Sequence, residues 1–100
     1  MSGGQRARVA LARAVYARAD LVLLDDVLAA VDAHVARHIF DNVIGPAGLL
    51  ATKARILVTN SISFLKGCDN IILLRHGIIL ESGNYASVMG HNKGEIQKLV

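Results

Sequence analysis

The hydrophobic pattern changes period several times along the chain, and each change marks a new element. Residues 6–18, Arg-Ala-Arg-Val-Ala-Leu-Ala-Arg-Ala-Val-Tyr-Ala-Arg, are rich in strong helix formers and follow Ser2, a good N-cap. Helical spacing puts Val9, Ala12 and Tyr16 on one face, with Leu11 and Val15 beside it. Asp20 breaks the run. Leu21-Val22-Leu23-Leu24 is a short continuous apolar stretch, the pattern of a strand buried on both faces, and it ends on two carboxylates, Asp25 and Asp26. A loop leads to Asp32, the natural N-cap of a second helix running to about Ile44, and Val31, Val35, Ile39 and Val43 keep a four-residue rhythm across it. Gly45-Pro46-Ala47-Gly48 stops it. Residues 55–59, Arg-Ile-Leu-Val-Thr, read as a second buried strand, followed by Asn60 and a short helix over 61–66. Residues 70–75 and 78–82 flank His76-Gly77 and read as a hairpin. From Asn84 onward the pattern is helical in two pieces, broken near 90–94.

Strand, helix, strand, helix and then strands predict an α/β fold with a parallel core. Asp25, Asp26 and Asn60 stand just past the carboxyl ends of two strands. In open α/β sheets that edge is where ligands bind.

Composition narrows the picture. A chain of 100 residues is enough for one domain and not for two. Tyr16, Phe40, Phe64 and Tyr85 are its only aromatics, so the core must be aliphatic. Cys68 is the only cysteine, which excludes an intrachain disulfide and a cysteine-based zinc cage. The first apolar stretch carries Arg6, Arg8, Arg13 and Arg18 and so is no secretory signal. No apolar run approaches the roughly 18–20 residues of a membrane span. The net charge of +3 raises nucleic acid as a partner. The early arginines spread around one helix with no aromatics between them to stack bases, so a solvated helix face is the reading and no nucleic-acid partner is expected.

Candidate chemistry lies at three places. Ser2-Gly3-Gly4 at a helix start offers unpaired backbone N–H groups, a hydroxyl and the positive end of the helix dipole, a combination that suits a phosphate. By itself a glycine pair before a helix is also a plain turn. Of the paired acids, one can hold hydrated Mg²⁺ while the other orients or deprotonates a water. The same pair also suits a solvated turn after a strand. His34 and His38 have a spacing that can bind zinc, but no Glu follows the first and no third ligand is evident. His76 and His91 carry no chemistry, and Cys68 reads as a small packing residue.

Taken in order, MSGGQ and its helix, LVLLDD, VDAHV, ILVTN and the closing RHGIILESGNY resemble the C-terminal half of an ATP-binding cassette nucleotide-binding domain, from the signature motif to the end, over essentially the whole of 1–100. Met1 to Gln5 is similar to the signature LSGGQ with Met for Leu, residues 21–26 to Walker B, and Ala30-Val31-Asp32 to the D-loop, while Asn60 falls where the family has its switch histidine. Residues 25–35 and the phrase VTNSISFL look closest to the first cassette of the multidrug-resistance-associated (C) subfamily of exporters, in a fungal-like form.

The resemblance implies a partial P-loop NTPase, RecA-like, with a parallel sheet, flanking helices and a C-terminal β-hairpin. It implies two cassettes closing head to tail on two ATP molecules. Ser2, Gly3, Gly4 and Gln5 would serve the ATP of the partner cassette. Asp25 would hold Mg²⁺ on this cassette's own ATP, Asp26 would take the catalytic carboxylate position beside Asn60, and Asp32 would couple the two sites. Further partners would be the transporter's transmembrane domains, which would place the chain on the cytoplasmic face of a vacuolar or plasma membrane.

The departures are as informative. No GxxxxGK[ST] occurs, so the Walker A half, with its phosphate nest and lysine, is missing from the chain. Asp26 is one methylene shorter than the family's glutamate, and Asn60 cannot carry the charge of a histidine. Both weaken hydrolysis at the chain's own site, whereas the signature serving the other site is intact. Val27 replaces the usual proline after Walker B, and Ala29 the usual serine. Two rival expectations follow. One is a non-transport cassette ATPase of the chromosome-maintenance or repair kind, against which the transporter-like ending argues. The other is a truncated remnant without ATPase activity.

Overall fold

A computed structural model describes residues 2–90 and 94–99. Met1, the first residue of the signature-like motif, and His91 lie outside the described residues. The chain divides into two compact units, 1–61 and 62–100.

In the first unit, helix α1 (Gly3–Ala17) is followed by strand β1 (Leu21–Asp25), helix α2 (Ala33–Ile39), a π-helical turn (Phe40–Ile44) and strand β2 (Ala54–Val58). Asp32 caps α2 through Oδ1, which accepts from the amides of His34 at 3.0 Å and Val35 at 3.2 Å. Arg18 in the left-handed conformation (φ 54°) ends α1 two residues before the expected breaker Asp20. Strands β1 and β2 pair in parallel, Leu21 opposite Ala54 through Asp25 opposite Val58, as the alternation of strand, helix and strand requires. The core is the expected aliphatic one with a single aromatic: Leu11, Val22, Leu24, Ile39, Phe40 and Ile44 are buried.

Two packing expectations are corrected. The inward face of α1 is Ala7 and Leu11, whereas Val9 is 43% and Tyr16 88% exposed. Ala7, Leu11 and the half-buried Ala14 and Val15 keep the three- and four-residue spacing of one stripe, set by the small side chains rather than by the larger apolar ones. The strands are buried on one face only: Val22 and Leu24 point into the core, while Leu21, Leu23, Ile56 and Val58 are all more than half exposed. Alternation in register puts those four side chains on the same side of the strand pair.

In the second unit a 3-10 turn (Ile62–Gly67) precedes strands β3 (Ile71–Arg75) and β4 (Ile78–Gly83) and the short helices α3 (Tyr85–Met89) and α4 (Glu95–Leu99). The strands form the expected antiparallel hairpin, with an irregularity between Leu73 and Leu74. His76 (φ 52°) and Gly77 (φ 75°) both take left-handed conformations at the turn, matching the strand twist. Asn84 caps α3 by accepting from the Ser87 amide at 2.8 Å. Ile71, Val88 and Ile96 form the core, with Cys68 packed against it as a small apolar residue.

Candidate functional site

The signature-like turn is built by reciprocal capping. Ser2 Oγ accepts from the Gln5 amide at 3.1 Å, and Gln5 Oε1 accepts from the Ser2 amide at 2.9 Å. The first helical amides of Gly3 and Gly4 thus start a 15-residue helix with no acidic side chain in its first turn. Such an end attracts an anion through its N–H groups and its dipole. The S-x-x-Q spacing of residues 2–5 carries this capping signal, so Gln5 is a capping residue as well as the ligand candidate that the resemblance makes it.

The acid pair occupies the end of β1. Asp25 is its last residue, paired with Val58, and the Asp26 amide continues the ladder by donating to the Val58 carbonyl at 2.8 Å. Asp26 then turns left-handed (φ 55°), so the chain leaves the sheet at the second acid. Both carboxylates are exposed. Asn60, also exposed, stands two residues beyond Val58 on the neighbouring strand, so all three polar residues gather at the carboxyl edge of one parallel pair. A hydrated Mg²⁺ needs only one or two protein carboxylates when phosphates complete its shell, and an exposed aspartate at this edge fits that donor set. Among the described residues no three His, Cys, Asp or Glu side chains form an all-protein metal cage. His34 and His38 are exposed.

The loop from the acid pair to Asp32 is a run of tight turns. The Ala29 amide donates to the Asp26 carbonyl and the Val31 amide to the Leu28 carbonyl, each at 3.2 Å, and Leu28 is buried beneath. This loop passes against the start of α1: a Cβ placed on Gly3 would overlap the Ala30 carbonyl oxygen and lie 2.9 Å from its carbon. A Cβ on Gly4 would meet only Val35 Cγ1 at 3.3 Å and Arg8 Nη1 at 4.0 Å. The two glycines are therefore unequal, one required by a close backbone approach and the other free of it. Sequence reasoning did not single out Ala30 for this contact, and two adjacent alanines before Asp32 were its only trace.

No protein-family model matches the chain. It is 60% identical over 92 residues to ATP-binding cassette sub-family C member 3 of Rattus norvegicus, a match covering 92% of this chain and 6% of that protein. It is 53% identical over 100 residues to the metal resistance protein YCF1 of Saccharomyces cerevisiae, covering 100% of this chain and 7% of the relative. It is 52% identical over 98 residues to human ATP-binding cassette sub-family C member 2, covering 98% of this chain and 6% of the relative. The chain thus spans a small part of the curated relatives it matches.

Proposed function

We propose that the chain is part of an ATP-binding cassette of a C-subfamily exporter, running from the signature motif to the end of the cassette and corresponding to the first of two cassettes. In this reading the start of α1 receives the γ-phosphate of ATP bound to the partner cassette, with the amides of Gly3 and Gly4 as donors beside Ser2 and Gln5. Asp25 holds Mg²⁺ on this cassette's own ATP, and the ion when bound neutralises phosphate charge. Asp26 and Asn60 orient the attacking water, and Asp32 couples the two sites. The transmembrane domains of the same transporter would carry the chain to the cytoplasmic face of a membrane; among the described residues no helix is long and apolar enough to cross one.

The observation that carries the reading is the gathering of Asp25, Asp26 and Asn60 at the carboxyl edge of one parallel strand pair. The start of α1, capped by Ser2 and free of acidic side chains in its first turn, and the C-subfamily relatives support it. The site is asymmetric in its chemistry. An aspartate sets its carboxylate back by about 1 Å from where a glutamate would put it, and misplacement on that scale costs roughly 100-fold in rate. ATP is then held here and hydrolysed slowly, while the signature turn supports turnover at the other site.

The test is made in the full-length transporter. Asp25→Asn should abolish Mg²⁺-dependent retention of labelled ATP at this cassette. Gly4→Asp introduces a carboxylate where the Cβ meets only two side chains, so it should abolish turnover at the partner site by repelling the γ-phosphate. Retention unchanged by the first and turnover unchanged by the second would overturn the reading.

A further inference from the structure

One pair of side chains outside the proposed machinery has the spacing for chemistry of its own. His34 and His38 stand one turn apart in the regular part of α2, before the π-helical turn begins at Phe40. Both are exposed, while Ala36 and Ile39 carry the buried side of the helix. Residues four apart on a helix lie side by side, with Cβ atoms about 5–6 Å apart, and two imidazoles so placed can reach one ion. The surroundings favour a cation. Residues 32–42 carry two carboxylates, Asp32 and Asp41, against one guanidinium, Arg37. Arg37 is bound to Asp41 at 2.9 Å, so its charge is offset within its own pair. Asp32, as the cap, offsets the positive helix end that would otherwise repel a metal near His34. The ring of His38 is also braced. Asn42 Nδ2 donates to the His38 carbonyl at 2.7 Å and stands 3.4 Å from His38 Nδ1. That side of the ring is covered, and Nε2 is the nitrogen left for an ion.

We propose that His34 and His38 form a two-histidine clamp for a borderline divalent cation of the Zn²⁺ class. Imidazole nitrogen suits Zn²⁺, Ni²⁺ and Cu²⁺, whereas Mg²⁺ prefers oxygen, so Mg²⁺ does not compete at this pair. Two protein ligands leave the remaining coordination positions to water or to an outside ligand, which makes the site exchangeable rather than a structural cage. The ion bridges successive turns and so binds the helical form of α2 in preference to the opened chain. Asn42 tunes the strength. A metal on Nε2 leaves the imidazole proton on Nδ1, where a ligating histidine usually meets an oxygen acceptor. In this chain the amide nitrogen of Asn42 faces that atom, and the amide has to turn its oxygen in. A carboxylate at position 42 would accept the proton directly. The clamp is independent of the function proposed above, and its test reads no ATP turnover.

The experiment follows hydrogen exchange of the amides of residues 33–42 in the full-length protein, with Zn²⁺ as the probe and Mg²⁺ in large excess throughout. At ten times the Zn²⁺ concentration that halves exchange, exchange should slow by about ten-fold, the factor that binding to the closed form alone gives. His34→Gln and His38→Gln should each remove this slowing, with each variant compared against itself without Zn²⁺. His34→Gln combined with Ala33→His keeps two histidines but sets them five residues apart, on different sides of the helix, and should remove it too. Asn42→Asp should lower the Zn²⁺ concentration for half effect by about ten-fold, the smaller end of what an outer partner of a ligating histidine contributes. Cu²⁺ should act at a lower concentration than Zn²⁺, and Mg²⁺ alone should do nothing. Should one Gln variant fail to fold, the other decides. The clamp is overturned by exchange that ignores Zn²⁺ in the unaltered protein, or by slowing that survives a Gln substitution or the shifted spacing. An Asn42→Asp variant that binds Zn²⁺ no more tightly overturns His38 Nε2 as the ligating atom, and with it the clamp.

Discussion

The Asp26 amide donates to the Val58 carbonyl at 2.8 Å while the Asp26 backbone is already left-handed, at φ 55°. One residue thus closes the strand ladder and turns the chain out of the sheet. That conformation disfavours most side chains by about 1–2 kcal/mol, and Asp and Asn suffer least because their short polar groups bond locally. The choice of Asp at this position thus has a backbone cause, apart from any role of its carboxylate.

Asp26→Asn should therefore leave stability within about 0.5 kcal/mol, since Asn tolerates the same region, while removing the carboxylate. Asp26→Ala should cost more, about 1 kcal/mol. Thermal melting of the two variants in the full-length protein checks the order. An Ala variant as stable as the Asn variant would show that the left-handed turn relaxes freely.

Gln5 should separate capping from phosphate recognition. Gln5→Glu keeps an acceptor for the Ser2 amide and adds a negative charge at the positive end of α1, a gain of about 0.3–1 kcal/mol. The same charge would face the γ-phosphate of the partner's ATP. Melting temperature should rise or hold while partner-site turnover falls by ten-fold or more, a loss of about 1.4 kcal/mol or more in transition-state stabilisation. Turnover that survives the change would remove Gln5 from the nucleotide interface.

The 100-residue chain alone should show no steady-state ATP hydrolysis, because it contains no GxxxxGK[ST]. It should also self-associate with rising concentration, because Leu21, Leu23, Ile56 and Val58 expose one apolar face of the strand pair. Leu23→Lys with Ile56→Lys should raise the monomer fraction in sedimentation. Turnover that Asp25→Asn abolishes, or a unaltered chain that stays monomeric throughout, would contradict these expectations.

Much of this was legible in the residues. Asp32 and Asn84 announced their helices because a short acceptor before an apolar period has few other uses. The hairpin followed from two β-rich runs around His76-Gly77, and the acid pair from an apolar strand ending in charge. What stayed hidden depended on tertiary packing. Leu21-Val22-Leu23-Leu24 carries no alternation, so nothing in the run says that Leu21 and Leu23 lie exposed while Val22 and Leu24 are buried. The inward face of α1 is hidden for a related reason: Ala7 is too small to register in a hydrophobic pattern, yet it is buried while Val9 and Tyr16 are exposed. The Gly3–Ala30 contact was invisible because it is backbone on backbone, and a glycine in a sequence does not say what approaches it.

The last prediction concerns restoring the two substituted positions together. Asp26→Glu extends the carboxylate back toward the attacking water, and Asn60→His supplies a ring that can donate to the γ-phosphate. Both residues stand at one sheet edge, Asp26 with its amide bonded to the Val58 carbonyl and Asn60 two residues beyond Val58, and in the proposed reading both serve this cassette's own nucleotide. Groups that act as a unit are non-additive, and either change alone should do little. Glu also pays part of the left-handed strain that Asp avoids, which lowers the gain from the single Asp26→Glu variant further. The pair should raise hydrolysis at this cassette by roughly ten-fold or more, from the recovered positioning of the water. Transport need not improve, since a slow site can hold the cassettes together between cycles. Single-turnover hydrolysis in the full-length protein, with the partner site disabled at its own catalytic carboxylate, measures the effect. An unchanged rate in the double variant, with folding intact, would mean that Asp26 and Asn60 do not limit this site and that their proposed roles are wrong.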